Sequence, residues 1–133
     1  MNKEILESVG IDYNEAQDRF SGSIELFESF LKEMATINIL AALQKALTEG
    51  DVISAFRVAH TLKGNFGNLS IKPLYETITP LVEALRSENM LEAQKLYIEL
   101  EKKYNQVTEG IRKAMWKCKK VGSFCYQPFF LPN

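Results

Sequence analysis

Histidine and cysteine are nearly missing from this 133-residue chain: it has one histidine, His60, and two cysteines, Cys118 and Cys125. A structural zinc site needs about four clustered ligands, which one imidazole and two distant thiols do not supply, so no metal site is expected. The cysteines are seven apart with no CxxC spacing; they could in principle pair, but a cytosolic protein normally keeps such thiols reduced. Glycine and proline are also sparse, at seven and four residues, and hydrophobic residues make up 46% of the chain. That balance excludes low-complexity and disordered classes. Basic residues number 16 against 17 acidic, a formal net charge of −1. A nucleic-acid binder would carry a basic excess, so none is expected as partner. No apolar run approaches the roughly 18 residues a bilayer span needs. The opening MNKEILESVG lacks the apolar stretch of a secretory signal. Both observations lead to the expectation of a cytoplasmic protein with no membrane partner. GxxxxGK[ST], GxGxxG and GxSxG motifs are missing as well.

What is there is helical periodicity, nearly throughout. Asp12 suits an N-cap, with Glu15 three residues later in the capping-box position, and this short first helix stops near Ser21-Gly22-Ser23. Ser23 is placed to cap a helix whose apolar stripe is Ile24, Phe27, Phe30, Leu31 and Met34, and a second apolar segment, Ile37 to Leu47, follows with little break. Gly50 fits a C′ position and Asp51 the next N-cap, opening a helix from Val52 to about Leu69. Ser70 to Pro73 read as a turn into a helix that reaches Ser87-Glu88-Asn89. Pro80 should kink or split that helix near Glu76 to Pro80. Asn89 caps the last helix, which carries Leu91, Leu96, Ile98, Leu100, Tyr104, Val107, Ile111 and Met115 and ends among Lys113, Lys117, Lys119 and Lys120. Short connections between long amphipathic helices predict an all-α, antiparallel four-helix bundle with a short extra N-terminal helix, over residues 1–120. Residues 121–133 lack charge and are crowded with Phe124, Tyr126, Phe129 and Phe130. They read as a separate non-helical aromatic tail: a docking strap, or a segment foreign to the bundle.

On a helical wheel, Val52, Ala55, Phe56, Ala59, Leu62 and Phe66 form the core stripe of the helix that carries His60. His60 sits about 100° from the centre of that stripe, toward solvent. Gly64 and Gly67 follow it at one and two turns, and Lys63 stands three residues on. Each mid-helix glycine costs roughly 1 kcal/mol relative to alanine. Two readings account for the glycines: a clear patch beside the imidazole where another protein approaches, or close packing of helices. An accessible imidazole beside an ammonium is suited to carrying an anionic group such as a phosphoryl, with Lys63 acting as a point charge. A merely solvated histidine and lysine are the bland alternative.

The run Ala59-His60-Thr61-Leu62-Lys63-Gly64-Asn65-Phe66-Gly67-Asn68-Leu69 resembles the A-H-x-L-K-G signature of histidine-containing phosphotransfer (HPt) domains. Gly10-Ile11-Asp12 through Phe20, the Glu49-Gly50-Asp51 break and Leu81-Val82-Glu83-Ala84-Leu85-Arg86 are also similar to that family, so the likeness spans roughly residues 10–115. The resemblance implies that His60 is the phosphoryl acceptor and Lys63 the side chain that offsets phosphoryl charge. It further implies that response-regulator receiver domains, and a hybrid histidine kinase, are the partners. The chain would be a carrier rather than an enzyme, with no cofactor of its own, since the receiver supplies Mg2+ and the acidic pocket. A monomer is the expectation. Ile53, Arg57, Gly64, Gly67 and Asn68 are the candidate docking positions around His60. Departures from the family pattern are Asn65-Phe66 where small residues are usual, Ser70 where glycine is common, and Pro80. Alternative readings are an HPt-like module that docks receivers without being phosphorylated and the accepting domain of a larger kinase. An enzyme using His60 as general base lacks an identifiable second group.

Overall fold

The structure, a computed structural model, describes residues 2–20 and 23–115, together with the backbone of 120–121 and 124–125. Seven helices account for most of the described residues: α1 (Lys3–Ser8), α2 (Tyr13–Arg19), α3 (Ile24–Thr36), α4 (Ala41–Glu49), α5 (Val52–Asn68), α6 (Lys72–Arg86) and α7 (Met90–Met115). The long helices α5, α6 and α7 run up, down and up, each packed on the next, and α4 and α3 close the bundle against α5 and α7. An all-α helical bundle is therefore the architecture, as expected. Its core is a continuous set of buried aliphatic and aromatic side chains from every helix, including Phe27, Leu31, Leu43, Phe66, Leu74, Ile78, Leu85, Leu100 and Ile111.

Two short helices precede the bundle where the sequence suggested one. In α1 the Asn2 side chain accepts from the Ile5 N–H at 3.2 Å, Leu6 is fully buried, and Val9 lies against Gly110 of α7. A six-residue helix has too little periodicity to announce itself, and it is held by docking rather than by propensity. Asp12 caps α2 by accepting from the Glu15 N–H at 3.0 Å. The return half of the expected capping box is not formed, because the Asp12 N–H donates to the Ser70 carbonyl and the Glu15 carboxylate points elsewhere. Ser23 occupies the N-cap of α3 without a side-chain cap bond, whereas Asn89 accepts from the Glu92 N–H at the start of α7.

The apolar residues from Ile37 to Leu47 hide a true break. Ile37 is extended, and Asn38 Oδ1 accepts from the Leu40 N–H at 3.1 Å, turning the chain between α3 and α4. The turn is fastened from across the bundle by Tyr104, whose buried hydroxyl accepts from the Ile39 N–H at 3.3 Å and donates to the Met34 carbonyl at 2.9 Å. Removing that hydroxyl strands backbone groups in a buried position. Tyr104→Phe is expected to lose about 1–3 kcal/mol of stability, measured by urea denaturation. An unchanged midpoint would mean that the turn holds itself.

Pro80 does not split α6, which is continuous from Lys72 to Arg86. The physical reason is placement. Pro80 is exposed, so the carbonyl it leaves without a partner is on the solvent side, while its neighbours Ile78, Leu81 and Val82 are fully buried and hold the helix to the core. Two of the apolar residues that α7 carries, Leu91 and Ile98, face solvent instead of the core. α7 ends at Met115; beyond it the backbone of β1 (Lys120–Val121) pairs antiparallel with β2 (Phe124–Cys125). The rest of the aromatic segment, and Lys117 and Lys119, lie outside the described residues.

Candidate functional site

α5 is pinned at both ends. Gly50, at φ +71°, ends α4 in the left-handed conformation, and Asp51 then caps α5 by accepting from the Ser54 N–H at 3.1 Å. That backbone hydrogen bond, joined by one from the Ser54 side chain, holds the Asp51 carboxyl below its ordinary pKa. At the other end the Ser70 N–H bonds to the Gly67 carbonyl and the Ile71 N–H to the Phe66 carbonyl, a Schellman closure. The left-handed residue this closure requires is Ser70, at φ +56°, where glycine would be free of strain.

A side-chain network compensates. The Ser70 hydroxyl donates to Glu15 Oε1 at 3.0 Å, and Arg19 of α2 donates to Ser70 Oγ and to the Gly67 carbonyl. Lys72 Nζ reaches Glu15 Oε2 at 2.9 Å. Hydrogen bonds from Lys72 and then Ser70 depress the Glu15 pKa, and Glu15 in turn raises that of Lys72. Ser70→Ala keeps the strained φ and loses the hydroxyl, so it should cost about 1–2 kcal/mol. Ser70→Gly loses the hydroxyl but relieves the strain and should stay within about 0.5 kcal/mol of the parent. Thermal melts of the two variants check this ordering: equal stability of the two would deny the strain, and a Ser70→Ala chain as stable as the parent would deny the network its role.

Between these anchors, Ala55, Ala59, Leu62 and Phe66 are buried as the wheel predicts, whereas Val52 and Phe56 of the expected stripe are only half-buried. His60 lies at the margin of that face and is exposed, with Ile53, Arg57, Gly64 and Asn68 exposed on the same helix. Ile53 leaves 71% of its surface to solvent. Among the described residues nothing hydrogen-bonds the imidazole. Its one ring contact is Phe56, one turn earlier, with centroids 5.8 Å apart and planes tilted by 35°.

The two glycines differ. A Cβ added at Gly64 would meet nothing within 4 Å, so the surface there is open. One added at Gly67 would lie 3.2 Å from the ring of Tyr75 on α6. Gly64 thus clears the space beside His60, and Gly67 lets α6 approach α5. Lys63 is half-buried, its Nζ 5.6 Å from the centre of the Tyr75 ring. Arg86, near the end of α6, places its Cζ 5.2 Å from the centre of the Phe56 ring and pairs with Glu83 at 3.4 Å.

Three participants were not singled out from the sequence. Phe56 was assigned to the core stripe but is half-buried at its edge, and Tyr75 and Arg86 carried no role. The antiparallel pairing of α5 with α6 was the available signal. It brings the start of α6 beside the end of α5, and the end of α6 beside its start. A groove of about 410 Å3 between α3 and the end of α5 has Phe20, Phe30, Met34, Ile39 and Phe66 in its lining; it also includes Asn68, one of the candidate docking positions, but not His60. Among the described residues no group of three or more His, Cys, Asp or Glu is placed to hold a metal, and no helix is long and apolar enough to cross a membrane.

A family model described as Hpt domain matches residues 25–110, from the first turn of α3 to the last quarter of α7, with the whole of α5 inside the match. Comparisons with curated proteins and with solved structures found no match.

Proposed function

Because the chain belongs to the Hpt domain family, the histidine-containing phosphotransfer domains of two-component phosphorelays, we propose that it carries a phosphoryl group on His60 between receiver domains. Members of this family are phosphoryl carriers rather than catalysts. The observation that supports the reading here is the placement of His60: an exposed imidazole, its nitrogens without a hydrogen bond among the described residues, on a helix anchored at both ends and beside a glycine that leaves the approach clear.

In the proposed step an imidazole nitrogen of His60 uses its lone pair to attack phosphorus of a receiver's aspartyl phosphate. The new N–P bond forms as the acyl P–O bond breaks, and the receiver's carboxylate leaves. The reverse transfer delivers the group to a second receiver. Such transfers depend on position and charge more than on covalent help, and the Mg2+ and acidic pocket they use belong to the receiver. This chain contributes the nucleophile, a cation in Lys63 to offset charge on the phosphoryl oxygens, and a surface on which the receiver seats. Ile53, Arg57, Gly64 and Asn68 form that surface around the imidazole, with Gly67 acting one level below by admitting Tyr75. A hybrid histidine kinase, through its own receiver, is the proposed source of the phosphoryl group, and the carrier acts as a monomer.

The test is transfer from a panel of phosphorylated receiver domains to the full chain. Acid-labile, base-stable label on the chain is the expected result. Receivers that bind the chain without passing the group would point instead to a docking module that is not phosphorylated.

A further inference from the structure

Lys63 stands three residues from His60, so the two side chains are neighbours on one face of α5. Side chains on a helix lean toward its N-terminus, which for Lys63 is the direction of His60. The structure gives its ammonium a seat on the other side. Lys63 Nζ lies 5.6 Å from the centre of the Tyr75 ring. That ring rests against Gly67, where an added Cβ would meet Tyr75 Cε2 at 3.2 Å and Cδ2 at 3.3 Å. Gly67 is seven residues past His60, roughly 10 Å farther along the helix axis. The ring contact therefore draws the ammonium toward the end of α5, away from the acceptor. No carboxylate holds it there: among the described residues Lys63 makes no ion pair. Glu15, which lines the same small cavity as Gly67 and Tyr75, is already taken by Ser70, Arg19 and Lys72.

Resting on the phosphoryl-carrier reading, we propose that Tyr75 is a positioning residue that tempers Lys63. Its ring competes with the phosphoryl group for the ammonium, so the phosphohistidine is held less tightly than an unengaged lysine would hold it. To reach the phosphoryl oxygens, Lys63 must leave the ring. Whatever the ring contact contributes in the unmodified chain is then subtracted from the lysine's hold on the phosphoryl group. A cation over a ring at a partly exposed site is a modest contact, whereas an ammonium against a phosphoryl oxygen makes a charge-assisted hydrogen bond. The phosphoryl group thus wins the lysine, but by a reduced margin. A carrier that must give its group up again gains from that reduction, because a phosphohistidine stabilised too far is a poor donor to the next receiver. Gly67 has a use in this arrangement that Gly64 does not share. A Cβ at Gly67 would crowd the ring, while one at Gly64 would meet nothing.

The test uses the full 133-residue chain and phosphoramidate, a small donor that needs no receiver. Its P–N bond breaks, ammonia leaves, and an imidazole nitrogen takes the phosphoryl group. Phosphorus NMR then follows the pH midpoint at which the phosphoryl group passes from monoanion to dianion. A nearby ammonium favours the dianion, so Lys63→Met should raise the midpoint. Tyr75→Leu frees the ammonium and should lower it by about 0.2–0.5 pH unit. Tyr75→Phe keeps a ring and should stay within about 0.1 unit of the parent. In a Lys63→Met background Tyr75→Leu should have no effect, since the ring acts only through the lysine. Proton NMR reads the seat itself. The Lys63 ε-methylene protons, shielded by the ring in the unmodified parent, should move downfield in Tyr75→Leu and on phosphorylation of the parent. A labelled, fully helical Tyr75→Leu chain with an unmoved or raised midpoint would overturn the inference while leaving His60 as carrier. So would an equal shift in the absence of Lys63, or lysine protons that do not differ between parent and Tyr75→Leu. Failure of phosphoramidate to label His60 in the parent chain would overturn the carrier reading, and this inference with it.

Discussion

Replacing His60 with Gln is expected to abolish phosphorylation of the chain by any donor, while the melting temperature stays within about 3 °C of the parent. Both halves of this result follow from position. The imidazole is exposed and, among the described residues, makes no hydrogen bond; its ring contact there is with Phe56. Gln is a good helix former of similar reach, so α5 keeps its caps, its buried face and its neighbours. The amide nitrogen of Gln, however, has no lone pair available for attack on phosphorus. Loss of label with an unchanged melt would place the chemistry on His60. Label retained in the variant would assign it to another side chain.

Gly64→Gln should separate docking from chemistry. The position is open, with nothing within 4 Å of an added Cβ, so the fold has room for a longer side chain. Removing a glycine from the middle of a helix should also stabilise the chain, by roughly 0.5 kcal/mol. The new side chain would stand one turn from His60, on the surface that a receiver must cover. Reacting atoms displaced by even an ångström lose much of their rate, so transfer from a phosphorylated receiver should fall about 10- to 100-fold. Labelling by phosphoramidate, which is small enough to pass, should change by less than about twofold, because no tightly fitted surface is needed to position it. A variant that is more stable yet slower with receivers would show that Gly64 is kept for access. Equal loss with both donors would instead mean that the added side chain disturbs the imidazole itself.

Much of this arrangement was legible before any coordinates, because it is local. Asp12, Gly50, Asp51 and Asn89 mark helix ends through bonds to residues within a turn of them. The buried face of α5 follows from the spacing of Ala55, Ala59, Leu62 and Phe66 alone. What stayed hidden depends on residues far apart in the chain. The break between α3 and α4 is fastened by Tyr104, more than sixty residues downstream. Glu15 looked like half of a capping box, but its carboxylate is claimed by Ser70 and Lys72. Pro80 was expected to interrupt α6 because proline removes a hydrogen bond; its solvent-facing placement makes that loss tolerable, and placement is a property of the packed bundle. The same holds for the site. The helix of His60 could be drawn as a wheel, but the ring that fills the space above Gly67 and the guanidinium that lies on Phe56 both come from α6.

The central claim is that His60 both receives and releases a phosphoryl group. It is tested most directly by following radiolabelled phosphoryl from one purified receiver to the full chain, and then to a second, unphosphorylated receiver added later. The expected course is a transient acid-labile, base-stable label on the chain that maps to the peptide containing His60. That label should disappear as the second receiver gains it. A first receiver that loses its phosphoryl group only to water, with no label ever found on a folded chain, would contradict the account.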